Sequence, residues 1–340
     1  MCTETNAHSV AGQARKALVI GATGGIGGEM TRILLHRGWQ VTALHRSPET
    51  AVLRQPDLTQ LRWMKGDAMR AADVLRAADG ADLIVHAANP PGYRDWDLVA
   101  RPMLRHAMDA AKACSARLLF PGTLYNFAKD APIVVDETTP QRAQTRKGLI
   151  RVAMEEMLRD AAGDGLRSLI VRAGDFFGPR PGNNWFSQCL VKPGQPLRKV
   201  TYPGLSGIGH SWAYLPDLAE TMMRLVERER DLGPFDVFHF AGHWLPDSAS
   251  LMAALRTAGG NAAIGQRRFF WPGIYLAAPF VTLCREMLEM RYLWQRDLQL
   301  ENGKLLGFLG GEPRTDLHEA LRSTLAGLGC LPVEAASSAR

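Results

Sequence analysis

The stretch from Leu18 to Gly38, LVIGATGGIGGEMTRILLHRG, constrains this chain more than any other. An apolar run, Ala17 to Ile20, enters glycines at 21, 24 and 27, and an amphipathic pattern follows at once. Ile26, Met30, Ile33 and Leu34 recur at helical spacing, and Gly38 is a natural stop. This reads as strand, glycine turn and helix start, the setting in which three such glycines signify a dinucleotide. Side chains there would hold a pyrophosphate away from the backbone amides and from the positive end of the helix.

Further apolar runs alternate with helical patterns: Gln40–Leu44, Leu61–Lys65, Asp82–His86, Arg117–Phe120 and Ser168–Arg172. Such alternation predicts a parallel sheet with helices on both faces. Ligands of such sheets bind beyond the carboxyl ends of the strands, so the residues after each run are the candidates. After Gly178 the texture changes to the Pro/Gly-rich loops GPRPGNNWF and KPGQPL. A helix over 217–228 and the strand-like FDVFHFAG are then expected to return to the sheet. From Pro246 the pattern is mostly helical, and residues 1–14 and 332–340 are expected to be disordered.

The 340 residues are 46% hydrophobic, enough for a large core in one domain or two lobes. The formal charge of +6 is spread along the chain rather than run together, which argues against a nucleic-acid tail and suits anionic small ligands. Five scattered cysteines form no CxxC pair, predicting free thiols and no zinc site. With no signal sequence at the N-terminus, a cytoplasmic protein is expected. The apolar segment 269–283 is interrupted by Pro272, Gly273 and Pro279 and is too short to span a bilayer, so no membrane partner is expected.

Within the glycine turn, Gly21, Thr23, Gly24, Gly25, Ile26 and Gly27 are the expected cofactor contacts. The second run ends at Leu44-His45-Arg46, and no Asp or Glu occurs between Gln40 and Pro48. An NAD site wants a carboxylate there for the ribose hydroxyls, whereas a guanidinium suits a 2′-phosphate. Arg46 therefore favours NADP, with NAD the alternative and a solvated loop arginine the plain reading. Asp67, followed by Ala68, is placed to take an adenine amino group or to cap a helix. Ala87, Ala88 and Asn89 follow the fourth run as small residues beside a ribose, with His86 read as a packed strand histidine.

Together these segments resemble the extended short-chain dehydrogenase/reductases, the NAD-dependent epimerase/dehydratase group. GATGGIG, the Gly66-Asp67 pair, HAAN, RAGDFFGP (172–179) and SWAYLPDLAE (211–220) match the group's motifs in order. The resemblance implies a Rossmann-type, doubly wound α/β sheet over 15–180, with 212–245 returning to it. It implies a smaller, mostly helical substrate-binding lobe from 181–211 and 246–331, with Ala173 and Gly174 near the cofactor.

The chain departs from the group at the catalytic residues. No Tyr-x-x-x-Lys pair exists in the sequence. If Glu155 and Leu158 align with the group's helix, Lys147 and Arg151 take the tyrosine and lysine positions, four apart on one face. Lys147 is then a candidate acid toward substrate, with its pKa depressed by Arg151, and Arg151 a ribose contact. The plain alternative is a solvated basic face with an Arg151–Glu155 pair. Pro121 stands where the group has a hydroxyl residue; Thr123 is the nearest hydroxyl, and Tyr125 matches a pocket-flanking tyrosine. Asp175, Phe176 and His210 are substrate candidates, Asp175 alternatively capping a turn. The aromatic-rich region Trp185, Phe186, Tyr202, Trp212 and Trp244 also suggests a substrate pocket. The expected activity is that of an oxidoreductase or epimerase with a substituted catalytic pair, acting on a small carbonyl, hydroxyl or sugar-type substrate. A non-catalytic NADP sensor and an assembly subunit are the competing readings, and a homodimer is left open.

Overall fold

The structure, a computed structural model, describes residues 14–89, 96–180, 182 and 184–331. The tails expected to be disordered, 1–14 and 332–340, lie outside these residues except for Ala14. The first half runs β1 (Lys16–Ile20), α1 (Gly25–His36), β2 (Gln40–His45), α2 (Pro48–Arg54), β3 (Arg62–Lys65), α3 (Ala71–Ala77) and β4 (Leu83–His86). It continues with α4 (Trp96–Ala113), β5 (Arg117–Thr123), β6 (Val134–Val135), α5 (Arg146–Asp160) and β7 (Arg167–Ala173). Next come β8 (Asp175–Phe177), β9 (Lys199–Tyr202), β10 (His210–Tyr214), α6 (Leu215–Glu227) and β11 (Phe235–His239). The rest holds β12 (His243–Leu245), α7 (Ser248–Ala258), β13 (Gly265–Arg268), α8 (Trp271–Ala277), α9 (Thr282–Glu289), β14 (Gln299–Leu300), α10 (Gly303–Leu309) and α11 (Leu317–Gly327).

Seven strands form one sheet in the order β11-β7-β5-β4-β1-β2-β3, with every pairing parallel. The order reverses direction at β1 and β4, which opens a crevice at their carboxyl ends. Alternate residues of each strand serve opposite faces. Val19, Val85 and Leu119 pack with Ile26, Met30 and Leu34 of α1 and Met222 of α6. Leu18, Ile84 and Leu118 pack with Leu104 of α4 and Met154 and Leu158 of α5 on the other side. A third core, around Phe177, Trp212 and Trp294, joins β8 and β10 to the C-terminal helices. The three-stranded sheet β12-β10-β8 lies at its centre.

Two glycines earn their places sterically in the first turn. Gly21 has φ of +99°, and a Cβ there would meet the Ala87 backbone at 2.7 Å. A Cβ on Gly27 would overlap the Gly21 carbonyl oxygen. The expectation that these residues are small chiefly to admit a pyrophosphate is thus corrected: at 21 and 27 the protein's own backbone occupies the space. The same close fit explains the small residues after β4, because Ala87 is what Gly21 rests on.

Candidate functional site

At the carboxyl edge of the sheet a cavity of about 430 Å³ opens between β4, β5, β7 and the C-terminal helices. It gathers candidates from six separate segments: Ile26; Ala87, Ala88 and Asn89; Thr123 and Tyr125; Lys147 and Arg151; Ala173, Gly174, Asp175 and Phe176; and His210. Arg46, Asp67 and Ala68 lie on the same edge, beyond β2 and β3, and do not line the cavity.

The β1–α1 turn ends at the cavity through Ile26. Gly24 is the N-cap of α1, contributes no capping side chain, and no acidic residue occupies the first turn. The first amides of a helix have no intrahelical acceptor, so this terminus presents donors and a partial positive charge to an anion. A Cβ on Gly24 would sit 3.2 Å from the Gly21 oxygen, a tight contact but not the overlap found at Gly27. Gly25 would meet only the end of the Leu215 side chain, at 3.0 Å. These residues fit a dinucleotide's pyrophosphate. Arg46 is exposed and makes no hydrogen bond or ion pair with the described residues. Asp67 Oδ1 accepts from the Met69 amide at 3.0 Å, closing a turn; Arg70, not Asp67, precedes the helix as its N-cap.

Helix α5 starts at Thr145, whose Oγ1 accepts from the Gly148 amide. Gly148 lets the helix approach closely, since a Cβ there would overlap the Tyr125 carbonyl. One consequence is that the stripe Lys147, Arg151, Glu155 is buried rather than solvated. Arg151 donates to Asn89 Oδ1 at 3.0 Å and to the Pro121 carbonyl at 3.3 Å, with its guanidinium 5.2 Å from the Trp96 and Phe120 rings. Glu155 pairs with Arg172, at 2.6 Å, so the Arg151–Glu155 pair of the alternative reading does not form.

Lys147 is 2% exposed. Its ammonium lies 3.2 Å from Glu286 Oε2 and donates a hydrogen bond to the Glu286 carbonyl at 3.1 Å. Its backbone amide donates to Glu289 Oε1 at 2.6 Å, and Arg146 holds the other Glu286 oxygen at 2.6 Å. Burial lowers the Lys147 pKa, and the Glu286 carboxylate opposes that fall. The like charge that adds to it is Arg146, not Arg151 as the helical spacing suggested.

Thr123 Oγ1 accepts from the Tyr125 amide at 3.1 Å, which fixes the turn after β5 while leaving the hydroxyl proton available. Asp175 and His210 meet. β8 and β10 are parallel neighbours, and the imidazole Nε2 donates to Asp175 Oδ2 at 2.7 Å. The His210 ring stacks on Trp294 with centroids 3.8 Å apart and 15° between planes.

His86 also lines the cavity, buried, with neither ring nitrogen hydrogen-bonded among the described residues. Burial, and then the charge of Arg151, pushes its pKa down to about 3, so it is neutral. Of the five aromatics expected to mark the pocket, Trp185 alone lines the large cavity. Phe186, Tyr202 and Trp212 are packed in the third core. The wall contributed by α9 and the turn after it, including Glu286, Met287 and Met290, carries no motif and was not legible as part of the site.

A profile of the NAD dependent epimerase/dehydratase family matches residues 17–239. Among curated proteins, a 3-diazoavenalumate denitrifying reductase of Streptomyces sp is 29% identical over 187 residues, 49% of this chain and 58% of that protein. An aspartate-semialdehyde dehydrogenase of Prochlorococcus marinus is 26% identical over 39% of this chain and 34% of its own length. This chain thus spans about half or less of those relatives. A UDP-glucuronic acid 4-epimerase from Bacillus cereus, solved with UDP-glucuronic acid and NAD, superposes with a TM-score of 0.73 at 14% identity, covering 92% of this chain and 98% of that one. A UDP-glucose 4-epimerase from Brucella ovis, solved with NAD, gives 0.72 at 14% identity over 93% and 99%. At these identities the likeness is one of fold. Among the described residues no helix is long and apolar enough to cross a membrane.

Proposed function

From a chain that belongs to the NAD dependent epimerase/dehydratase family, we propose an NAD(P)-dependent oxidoreductase or epimerase-like enzyme that acts on a small substrate in the cavity beside Lys147. The observation that carries this reading is convergence. Ile26 at the end of the uncapped glycine turn, the β4 and β7 ends, and Lys147 and Arg151 of α5 all line one cavity, as they would if a cofactor lay along the turn with its reactive end inside.

In this reading the pyrophosphate rests on the Gly21–Gly27 turn, and Arg151, held by Asn89 and the Pro121 carbonyl, bounds the ribose side. Exposed Arg46, with no Asp or Glu between Gln40 and Pro48, favours NADP over NAD. When bound, the nicotinamide supplies or accepts the hydride. The protein supplies the proton and holds the reacting oxygen. Lys147 is the group proposed for that oxygen: an ammonium in a dry site stabilises developing negative charge, and lowered basicity improves it as an acid. Thr123 and Tyr125 assist from the turn after β5. The substrate-binding part is drawn from 181–211 and 246–331, and substrate contacts fall to Asp175, Phe176 and His210. NAD as cofactor and a homodimer are compatible with this arrangement.

A second reading, a non-catalytic NADP sensor, is favoured by one observation: the Lys147 ammonium already holds Glu286 through both an ion pair and a hydrogen bond. The two part on turnover. NADPH consumption is measured over a carbonyl panel, and Lys147→Met, Arg151→Met and Tyr125→Phe are then compared at saturating cofactor. The enzyme reading expects Lys147→Met to lose at least about a hundredfold in kcat, the scale of a general acid, and Tyr125→Phe to lose less. Tight NADP binding with no turnover on any carbonyl or sugar nucleotide favours the sensor.

A further inference from the structure

The cavity's chemistry narrows the substrate class, an inference that rests on the reading above. We infer that this site takes an uncharged, predominantly aromatic or apolar carbonyl compound, and not a nucleoside-diphosphate sugar.

The first ground is charge. Among the described residues, Lys147, Arg151, His86 and His210 are the basic side chains that line the cavity. Each is committed or neutral. Lys147 sits on Glu286, Arg151 on Asn89 and the Pro121 carbonyl, and His210 on Asp175, while His86 carries no proton near neutral pH. The carboxylates of Asp175 and Glu286 match the charges of Lys147 and Arg151. A diphosphate placed among them would meet a wall of no net charge and, at Asp175, direct repulsion. Desolvating that much anionic charge without a free cation among the described residues is strongly unfavourable.

The second ground is surface. Trp185 lines the cavity and stands edge-to-face to Trp294 at 5.5 Å, from which the aromatic cluster continues to Trp212. Met287, Met290 and Leu293 add an apolar wall from α9 and the turn after it. Methionine walls adapt to flat apolar ligands, and aromatic edges favour rings. The third ground is the approach. Leu283 lines the cavity and is also 47% exposed, which puts an apolar side chain at its rim, and Leu276 and Phe280 in the same stretch of chain are exposed as well. A polar, doubly charged substrate gains nothing from crossing such a rim. Within the cavity Lys147, Thr123, Tyr125, Asn184, Gln188 and the His210–Asp175 pair are uncharged or charge-matched polar contacts that can orient one carbonyl or hydroxyl.

The test measures binding to the full chain saturated with NADP, by calorimetry and by thermal shift. The probes are cinnamaldehyde, 4-hydroxybenzaldehyde and decan-2-one on one side, and UDP and UDP-glucuronic acid on the other. The expected result is a positive shift with one or more of the neutral carbonyls and none with either uridine nucleotide. Trp185→Ala is expected to weaken the bound carbonyl roughly tenfold or more, the usual loss when a buried aromatic anchor is truncated, with NADP affinity unchanged. Binding of UDP or UDP-glucuronic acid to the NADP complex overturns the inference, as does failure of every neutral carbonyl to bind it. Failure of NADP and NAD themselves to bind is a different result, and defeats the underlying reading instead.

Discussion

Lys147 Nζ lies 3.2 Å from Glu286 Oε2, and the two side chains are 2% and 3% exposed. They tie α5 to α9 across 139 residues of sequence. A buried pair of this kind is fragile on one side. Removing one partner leaves the other charged in a dry place, typically at about 3–5 kcal/mol. The two deletions are not equivalent here. Without Lys147, Glu286 keeps Arg146 at 2.6 Å; without the Glu286 carboxylate, the ammonium loses its ion pair and keeps its carbonyl contact and the field of Glu289. Glu286→Gln should therefore destabilise the fold by about 3 kcal/mol, and Lys147→Met by clearly less. Urea unfolding of both variants checks this, and equal losses would count against the assigned geometry.

The glycine turn separates folding from binding. Gly27→Val places a branch into the Gly21 carbonyl and should cost soluble, cooperatively folded protein. Gly24 has φ −87° and ψ 172°, which any residue adopts, so Gly24→Val should fold while its side chain blocks the pyrophosphate seat. Circular dichroism melts paired with NADP titration distinguish the two. A folded Gly24→Val with unchanged cofactor affinity would move the ligand elsewhere.

Cofactor choice should lie with Arg46. A guanidinium bonded to a 2′-phosphate contributes roughly 1.5–3 kcal/mol, about a tenfold to hundredfold preference for NADP. Arg46→Ala should remove most of that preference and leave NAD affinity nearly untouched. Dissociation constants for both nucleotides in both proteins decide it, and equal wild-type values would reject the assignment.

Acid should unfold the protein by way of its buried histidines, His86 and His239 foremost and His243, pushed down to about 4, beside them. Burial drives His86 and His239 each down to about 3, helped in both by a neighbouring arginine. In the unfolded chain each takes up a proton below about pH 6.5, while the folded protein does not. Stability is therefore complete above that pH and falls as pH drops from about 6.5 toward 3, by up to roughly 1.4 kcal/mol per pH unit for each. His86→Leu should flatten this acid limb in denaturant midpoints measured between pH 7 and 4. An unchanged slope would mean that His86 is protonated in the folded state.

What the sequence by itself determined is what short-range physics decides. The 3.6-residue period of Ile26, Met30 and Leu34, the apolar run before Gly21 and the stop at Gly38 specify β1, its turn and α1 from neighbours alone. The same alternation carried the parallel sheet through β7, and strand-end logic picked out most of the cavity's inner half. Tertiary structure decided what those residues do to one another. Lys147 and Arg151 read as a basic face; only the packing of α5 over the turn after β5 turns that face inward and hands Lys147 to Glu286. Asp175 and His210 read as separate strand ends, and become a pair because β8 and β10 are neighbours. Most of the aromatics after Gly178 read as pocket but form a core, since large rings bury wherever a second layer can close over them. These outcomes depend on contacts between residues far apart in the chain, and no local period or turn signal encodes which distant charge or ring will arrive.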